Sequence, residues 1–521
     1  MKTVSKRELQ KLLAVGPDIG DILPPNIAGI NTSGIGDDVK RAVALARKFN
    51  EEVVKPVYKK IDQAVQIDHD YLPWEFIKTA NEWGFYTLWI PKMFGGAGWH
   101  MASIYIFLEE IASCCCGLSN VIGVHYLGMS SLMTGFNMKV IKKVLGEVVQ
   151  GEKTGVPCLI SLALTEPAAG SDVEENELLE QGKVGTIAKR VEGGYRLNGA
   201  KCFISGGHYS TWHITVCYGD RKRPAETFML FAIRNGMPGF SFGAKENKMG
   251  QRACVASELI YEDVFVPDDL VMISPDTFKD TGLSYYDVSN MTIESALAAS
   301  RPGVGAFACG IARGAYEAAL AYAETKMVGG ARLINHQYAQ NILAEMHKNV
   351  AMARLTYIQA AQFTCIWGLF RILHQTWSYR PLRILPRSIQ AVLIKPFLNL
   401  KLTTNVVRKI CYNPKNLKEY QAAIAWASIA KFGISDIGYI NCMLAAQLMG
   451  VDGTRQDHNL EKHLRDSKLL QIYEGTNQLN RQIVFKHMIA RDVDGVEMFA
   501  KKAEQSIPTI HMLQQRRASN D

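Results

Sequence analysis

The sequence predicts an α+β chain of several domains: an N-terminal α-helical domain, a middle β-barrel-like domain and a C-terminal α-helical bundle. Three observations carry this. The chain has 521 residues, roughly two to four times a typical domain. Apolar residues make up 48% and charged residues 21%, which argues against a disordered chain and against a polytopic membrane protein. The hydrophobic period also changes twice. Helical spacing gives way near Pro157 to short alternating segments split by glycine pairs, and returns near residue 284.

Residues 1–37 read as an extension and linker, a short charged helix followed by a Gly/Pro/Asn-rich stretch. Over 38–156, Val39, Ala42, Val43 and Ala46 fall at helix spacing, and Gly95-Gly96-Ala97-Gly98 marks a break. The β domain is expected over 157–283. There Gly193-Gly194 separates Val191 from Tyr195, and Leu259, Tyr261, Asp263 and Phe265 alternate as in half-buried strands. Over 284–521 the helical period resumes, with Ile437, Ile440, Leu444 and Leu448 on one face. Residues 366–418 interrupt this last domain as an insertion.

The net charge of +8 is confined to one place. Residues 366–418 hold ten Lys and Arg and no Asp or Glu, while the rest of the chain has 48 basic residues against 50 acidic ones. Without a zinc-finger spacing, a basic zipper or an RNA-binding aromatic signature, nucleic acid is not expected as a partner. The eleven cysteines include no C-x-x-C pair, so reduced packed thiols are expected rather than disulfides or a metal site. The charged first residues lack a signal-peptide core, and no run of about 18 uninterrupted apolar residues occurs. The expectation is a cytoplasmic protein whose membrane contact is peripheral, on the inner face.

Four strings carry the chemistry: Leu164-Thr165-Glu166-Pro167-Ala168-Ala169-Gly170-Ser171-Asp172; Leu197-Asn198-Gly199-Ala200-Lys201-Cys202-Phe203-Ile204-Ser205-Gly206; Met249-Gly250-Gln251-Arg252; and Arg465-Asp466-Ser467-Lys468 followed by Ile472-Tyr473-Glu474-Gly475-Thr476-Asn477-Gln478. In this order they resemble the acyl-CoA dehydrogenase family, over nearly all of the chain except residues 1–37 and the insertion. The resemblance implies an FAD enzyme that removes hydrogens from the α and β carbons of an acyl-CoA thioester. Glu474 would be the general base, its backbone N–H would help stabilise the enolate, and flavin would take the hydride. Burial beside flavin and acyl chain should raise the Glu474 pKa. Some relatives carry the base on the helix that opens the C-terminal domain, but the matching residue here is Ser300, and Glu294 lies nearly two turns earlier.

The resemblance also implies that Leu164, Thr165, Gly170, Ser171, Phe203, Ile204 and Ser205 lie at the flavin ring. Lys326, Gln337, Gln447, Gly450, Thr476 and Gln478 would serve the rest of FAD, partly across a subunit boundary, so a homodimer or tetramer is expected. Ser171, Ser119, Gly123, Arg301, Tyr473 and Gly475 match substrate positions. Small residues at Ser119 and Gly123 imply a deep pocket for a medium- to long-chain or bulky acyl group. Two departures stand out. Lys326 and Gly329 replace an arginine and an aromatic residue, and Gly450-Val451-Asp452-Gly453 departs from a Gly-Gly-x-Gly turn.

Electrons would pass to an electron-transferring flavoprotein or a membrane acceptor. The competing functions are an acyl-CoA oxidase and a membrane-associated assembly or scaffold protein that keeps the fold. In the insertion, Ile366, Leu369, Phe370, Leu373 and Trp377 form one helical apolar face, and Ile389, Val392, Leu393, Phe397 and Leu400 nearly a second. Basic residues lie around both, the profile of a helix in a membrane interface.

Overall fold

The computed structural model describes residues 33–278, 281–374, 376–490 and 493–499. The N-terminal unit is helical: α1 (Ser33–Phe49), a π-helical turn (Asn50–Val54), α2 (Lys55–Ile67), α3 (Trp74–Glu82), α4 (Ala102–Ala112), α5 (Cys116–Thr134) and α6 (Met138–Thr154). α4 is buried from Ser103 to its end and α5 nearly throughout, so both are core helices rather than amphipathic surface ones. Phe49 closes the end of this unit, edge-on to Phe76, Trp83 and Phe85.

One eight-stranded sheet follows: β1 (Ile160–Ala163), β2 (Ile187–Val191), β3 (Gly194–Ser205), β4 (Trp212–Tyr218), β5 (Phe228–Arg234), β6 (Phe240–Lys245), β7 (Ala256–Pro267) and β8 (Val271–Ile273). The strand order is β6-β7-β3-β2-β4-β5-β8, with β1 parallel to β4. β4 is buried on both faces, which is why its sequence does not alternate. In β3 the register shifts between Lys201 and Ile204, and that irregularity turns Phe203 outward, 60% exposed at φ 56°.

Three long helices make the C-terminal core: α7 (Tyr285–Thr325), α8 (Gln337–Trp367) and α12 (Leu417–Met449), packed on one another and on α4 and α5. Pro302 lies inside α7 and leaves the Ala298 carbonyl without its helical donor; the Thr364 hydroxyl of α8 supplies one at 3.1 Å. By length and composition the helical stretch Lys401–Thr454 could cross a membrane, with mean hydropathy 1.2. Its α12 portion is the central core helix, which accounts for that apolarity.

The segment between α8 and α12 forms α9 (Thr376–Ile384), α10 (Arg387–Leu393) and α11 (Lys401–Cys411). Part of the expectation for it fails. Residues 366–377 are not one helix, because α8 ends at Trp367 and Gly368, and Leu369 and Phe370 turn into the core. The Trp377 side chain lies outside the described residues. Three of the ten basic residues are also bound inward. Arg371 pairs with Glu419, Arg383 with Asp38, and Arg408 is buried against the carbonyls of Gly135, Met272 and Thr277. The second face is open, with Ile389, Val392, Leu393, Phe397 and Leu400 all exposed.

Candidate active site

The four strings dock in pairs. Lys201 of β3 reaches back to the turn after β1, donating to the Leu164 carbonyl (2.9 Å) and pairing with Glu166 (2.8 Å), both side chains fully buried. The first two strings are thereby one unit, and the Cys202 N–H donating to the Thr165 carbonyl completes it. The third meets the fourth at Gln251, whose N–H donates to the Asp466 carboxylate and whose side-chain amide donates to the Asp466 carbonyl. A Cβ on Gly250 would overlap the Arg465 backbone, so only glycine permits the approach. Gln251 Oε1 in turn accepts from Asn120 of α5 (3.0 Å) and from the Tyr473 hydroxyl (3.2 Å).

Glu474 sits in the loop between α13 (Leu460–Leu469) and α14 (Asn477–Val484), at φ 56°. Phe203, Gln251 and Glu474 share this left-handed conformation, which non-glycine residues adopt at a cost of roughly 1–3 kcal/mol and which concentrates at functional sites. The Glu474 carboxylate accepts from Ser300 of α7 at 2.5 Å, and its carbonyl accepts from Arg301 and Asn480 (both 3.2 Å). Arg301 is buried and also donates to Ser428 and Glu174. It therefore positions the loop that carries Glu474. Lys431 of α12 donates to the Gly475 carbonyl (2.6 Å) and to Asn477 (2.8 Å). Thr476 caps α14 through its hydroxyl.

The electrostatics follow from burial. Burial raises the Glu474 carboxyl above the usual carboxylate range, opposed by the Ser300 hydrogen bond and the charges of Arg301 and Lys431. Burial also pushes Glu174 up to about 7, with Arg301 pulling down and Glu474 adding to the rise. Burial and the neighbouring Arg301 bring Lys431 down to about 7. The backbone N–H groups of Glu474, Gly475 and Thr476 have no acceptor among the described residues. The site thus joins a carboxylate of raised basicity to a short row of free donors.

The chain matches family models for the acyl-CoA dehydrogenase N-terminal domain (residues 37–152), middle domain (161–264) and C-terminal domain (291–364 and 388–489). The chain belongs to the acyl-CoA dehydrogenase family. It is similar to "Probable acyl-CoA dehydrogenase FadE25" of Mycobacterium tuberculosis, 28% identical over 453 residues, 87% of this chain and 95% of that protein. Butyryl-CoA dehydrogenase from Megasphaera elsdenii shares the fold, at TM-score 0.65 and 24% identity over 88% of this chain and 99% of its own. A chain in the structure of the electron transferring flavoprotein of Acidaminococcus fermentans does so at TM-score 0.67 and 23% identity, over 90% and 100%.

Enzymes of the acyl-CoA dehydrogenase family are FAD-dependent, and the donor set on the β side suits a flavin ring. The Thr165 and Ser171 hydroxyls are part-buried and make no side-chain hydrogen bond among the described residues, and Phe203 presents an uncovered ring. Leu164 and Ile204 are buried beside them, and Gly170 is exposed. The remaining cofactor residues fall in a second group. Lys326 ends α7, Gln337 opens α8, and Gln447 and Gly450 end α12, with Gln337, Gln447 and Gly450 exposed. Lys326 pairs with Asp452 (3.1 Å), so the two departures from the family pattern touch one another. No hydrogen bond or ion pair among the described residues joins the two groups. Gln478 is exposed on α14.

On α5 the ring of Phe307 lies beside Gly123, 2.6 Å from where a Cβ would sit, so the position needs a glycine, and Gly123 itself is part-exposed. The Ser119 hydroxyl donates to the Leu108 carbonyl (2.8 Å). Glu294 faces His487 at 3.2 Å, away from Glu474. Sequence reasoning missed Glu174, Ser428, Lys431 and Asn480. Lys431 did carry a signal, as the lone charge in the run from Ala422 to Ile434, whose one other polar side chain is Ser428.

Proposed function

We propose that the chain dehydrogenates an acyl-CoA thioester to its trans-2-enoyl form, with Glu474 taking the α proton. The observation that carries this is the Glu474 carboxylate, hydrogen-bonded by Ser300 and raised in basicity, next to unpartnered backbone N–H groups. Those donors suit the thioester oxygen as enolate charge develops. FAD, held at Thr165, Ser171, Phe203 and Ser205 and completed by Lys326, Gln337, Gln447, Gly450, Thr476 and Gln478, supplies the hydride acceptor. Arg301, Asn480 and Lys431 hold the loop backbone, so the base approaches from a fixed direction. Ser300 favours the ionised carboxylate, and burial returns part of its basicity.

The acyl group is medium- to long-chain or bulky, and electrons leave to an electron-transferring flavoprotein or a membrane acceptor. The enzyme is a homo-oligomer. Met352 and Leu355 on α8 and Ile440 and Met443 on α12 are exposed, on two helices that Asn349 and Asn441 join by a hydrogen bond; such exposed apolar groups suit a subunit interface. The outward face of α10 and α11 makes a peripheral contact with the cytoplasmic side of a membrane.

Anaerobic flavin bleaching by a panel of acyl-CoAs tests the reaction. Bleaching in Glu474→Gln should slow by about 10²–10⁴-fold, with flavin content unchanged. Equal rates in variant and wild type would remove Glu474 as base. A colourless protein that no acyl-CoA bleaches would point to the scaffold reading, and fast reoxidation in air with product bound to an oxidase.

A further inference from the structure

A recess open to solvent lies between the N-terminal unit, α5, α7 and the residues that follow α8. Its body is apolar. Trp99 lines one side, Met129 and Met133 stand one turn apart on α5, and Phe370, Leu373 and Leu382 close the far side. Those last three belong to residues 365–387, which the family's C-terminal model passes over. The segment outside the family match thus completes a recess whose other walls come from the matched domains.

Four polar side chains also line it, His374, Tyr379, Arg383 and Gln390; His374 and Tyr379 both lie edge-on to His100, and Arg383 donates to the Tyr379 hydroxyl. Gln390 is completely buried and spends its amide N–H groups on the carbonyls of Leu382 (2.5 Å) and Leu385 (3.0 Å). That leaves the buried Gln390 Oε1 without a donor among the described residues, and the buried Nδ1 of His374 is likewise unpartnered there. Buried polar atoms are nearly always paired, so a missing hydrogen-bonding group is indicated, one that both donates and accepts. Burial keeps His374 neutral, with its pKa down to about 4. A metal ion suits the spot less well. His100 and Cys365 lie beside His374, but His100 Nδ1 accepts from the Ala102 N–H, which leaves the proton on Nε2 and no lone pair there to bind.

We propose that this recess binds a lipid-like molecule with an apolar chain or ring body ending in a hydroxyl, the hydroxyl donating to Gln390 Oε1 and accepting from His374 Nδ1. Ala299 lines the recess and is followed on α7 by Ser300, which holds Glu474. The chemistry has two sources: a free lipid alcohol, or the hydroxylated tail of an acyl-CoA. The second rests on the dehydrogenase reading; binding in the recess does not.

Calorimetric titration of the full-length protein with dodecanol and dodecane tests it without turnover. Dodecanol should bind about tenfold more tightly than dodecane, the value of one net hydrogen bond, and Gln390→Leu should erase that preference while keeping dodecane binding. Leu373→Trp and Leu382→Trp, which fill the body, should abolish binding of both. Flavin content and the urea unfolding midpoint should be unchanged in these variants, which separates lost binding from lost folding. If dodecanol competes with ω-hydroxydodecanoyl-CoA in bleaching, the source is the substrate tail; binding without competition assigns a separate lipid. Absence of dodecanol binding, or binding undisturbed in both tryptophan variants, overturns the proposal.

Discussion

At the scale of single residues, the site is a carboxylate whose proton affinity is set by opposing neighbours. Ser300 donates to Glu474 and favours its charged form, against burial, which raises its pKa. In Ser300→Ala the largest opposing contribution is gone, the charges of Arg301 and Lys431 remain, and the carboxyl is raised further. The base works only when deprotonated, so the rising acid limb of the pH profile for flavin bleaching should move to higher pH. A purely structural role for Ser300 would lower the rate equally at every pH. Gly475 offers a second test. It sits at φ 77°, and an added Cβ would lie 2.5 Å from Glu174 Oε2 and 3.2 Å from Arg301 Nη2. Gly475→Ala should cost about 1–3 kcal/mol in urea unfolding and slow bleaching by displacing the loop. Neither Ser300 nor Glu174 was legible as a partner of Glu474. A serine on a helix and an acid two residues past Asp172 carry no marker, and their meeting depends on how α7 packs against the loop.

At the scale of elements, the strings were legible and their pairing was not. Glycine pairs and the change of period marked where helices give way to strands, because turns and half-buried strands impose those patterns locally. The docking of residues 249–252 on 465–468 depends on a close backbone approach between distant segments, which no local pattern records. The same holds for Glu166 and Lys201. Lys201→Met leaves Glu166 buried without its cation, and should cost about 3–5 kcal/mol in unfolding free energy and lower flavin content by loosening the turn that carries Thr165. Glu174 gives a pH signature. Its pKa rises from 4.5 unfolded to about 7 folded, so between these values the folded state holds the proton more tightly. Stability from this group is full below about pH 4.5 and is lost as pH rises to 7, by on the order of 3 kcal/mol. The depressed Lys431 acts above pH 7, outside that window. Urea midpoints measured across it should flatten in Glu174→Gln; an unchanged slope would remove Glu174 as the source.

At the scale of the whole molecule, the charge excess noticed in the sequence resolves into an inner and an outer set. Gly368 ends α8 where periodicity alone would have continued it, and Leu369, Phe370 and Leu373 of the first apolar face go into the core and the recess. What stays outside is α10, the turn after it and α11. Leu402, Val406 and Ile410 extend the exposed face of Ile389, Val392 and Leu393. Lys395, Lys401 and Lys409 have no ion pair among the described residues. Exposed aliphatic groups with unpaired cations match an anionic bilayer surface better than water or an acidic protein face, which would leave the apolar groups wet. Each lysine near such a surface contributes about 1 kcal/mol. Replacing Lys395, Lys401 and Lys409 with glutamine should therefore weaken partition onto phosphatidylserine vesicles by about 3 kcal/mol, roughly a hundredfold, while neutral vesicles show little binding by either protein. These substitutions leave Arg371, Arg383 and Arg408 in their inward contacts, so the unfolding midpoint should hold and the comparison reports on the surface alone. Equal partition of variant and wild type, or no partition by wild type at low salt, would assign the outer face to a protein neighbour instead.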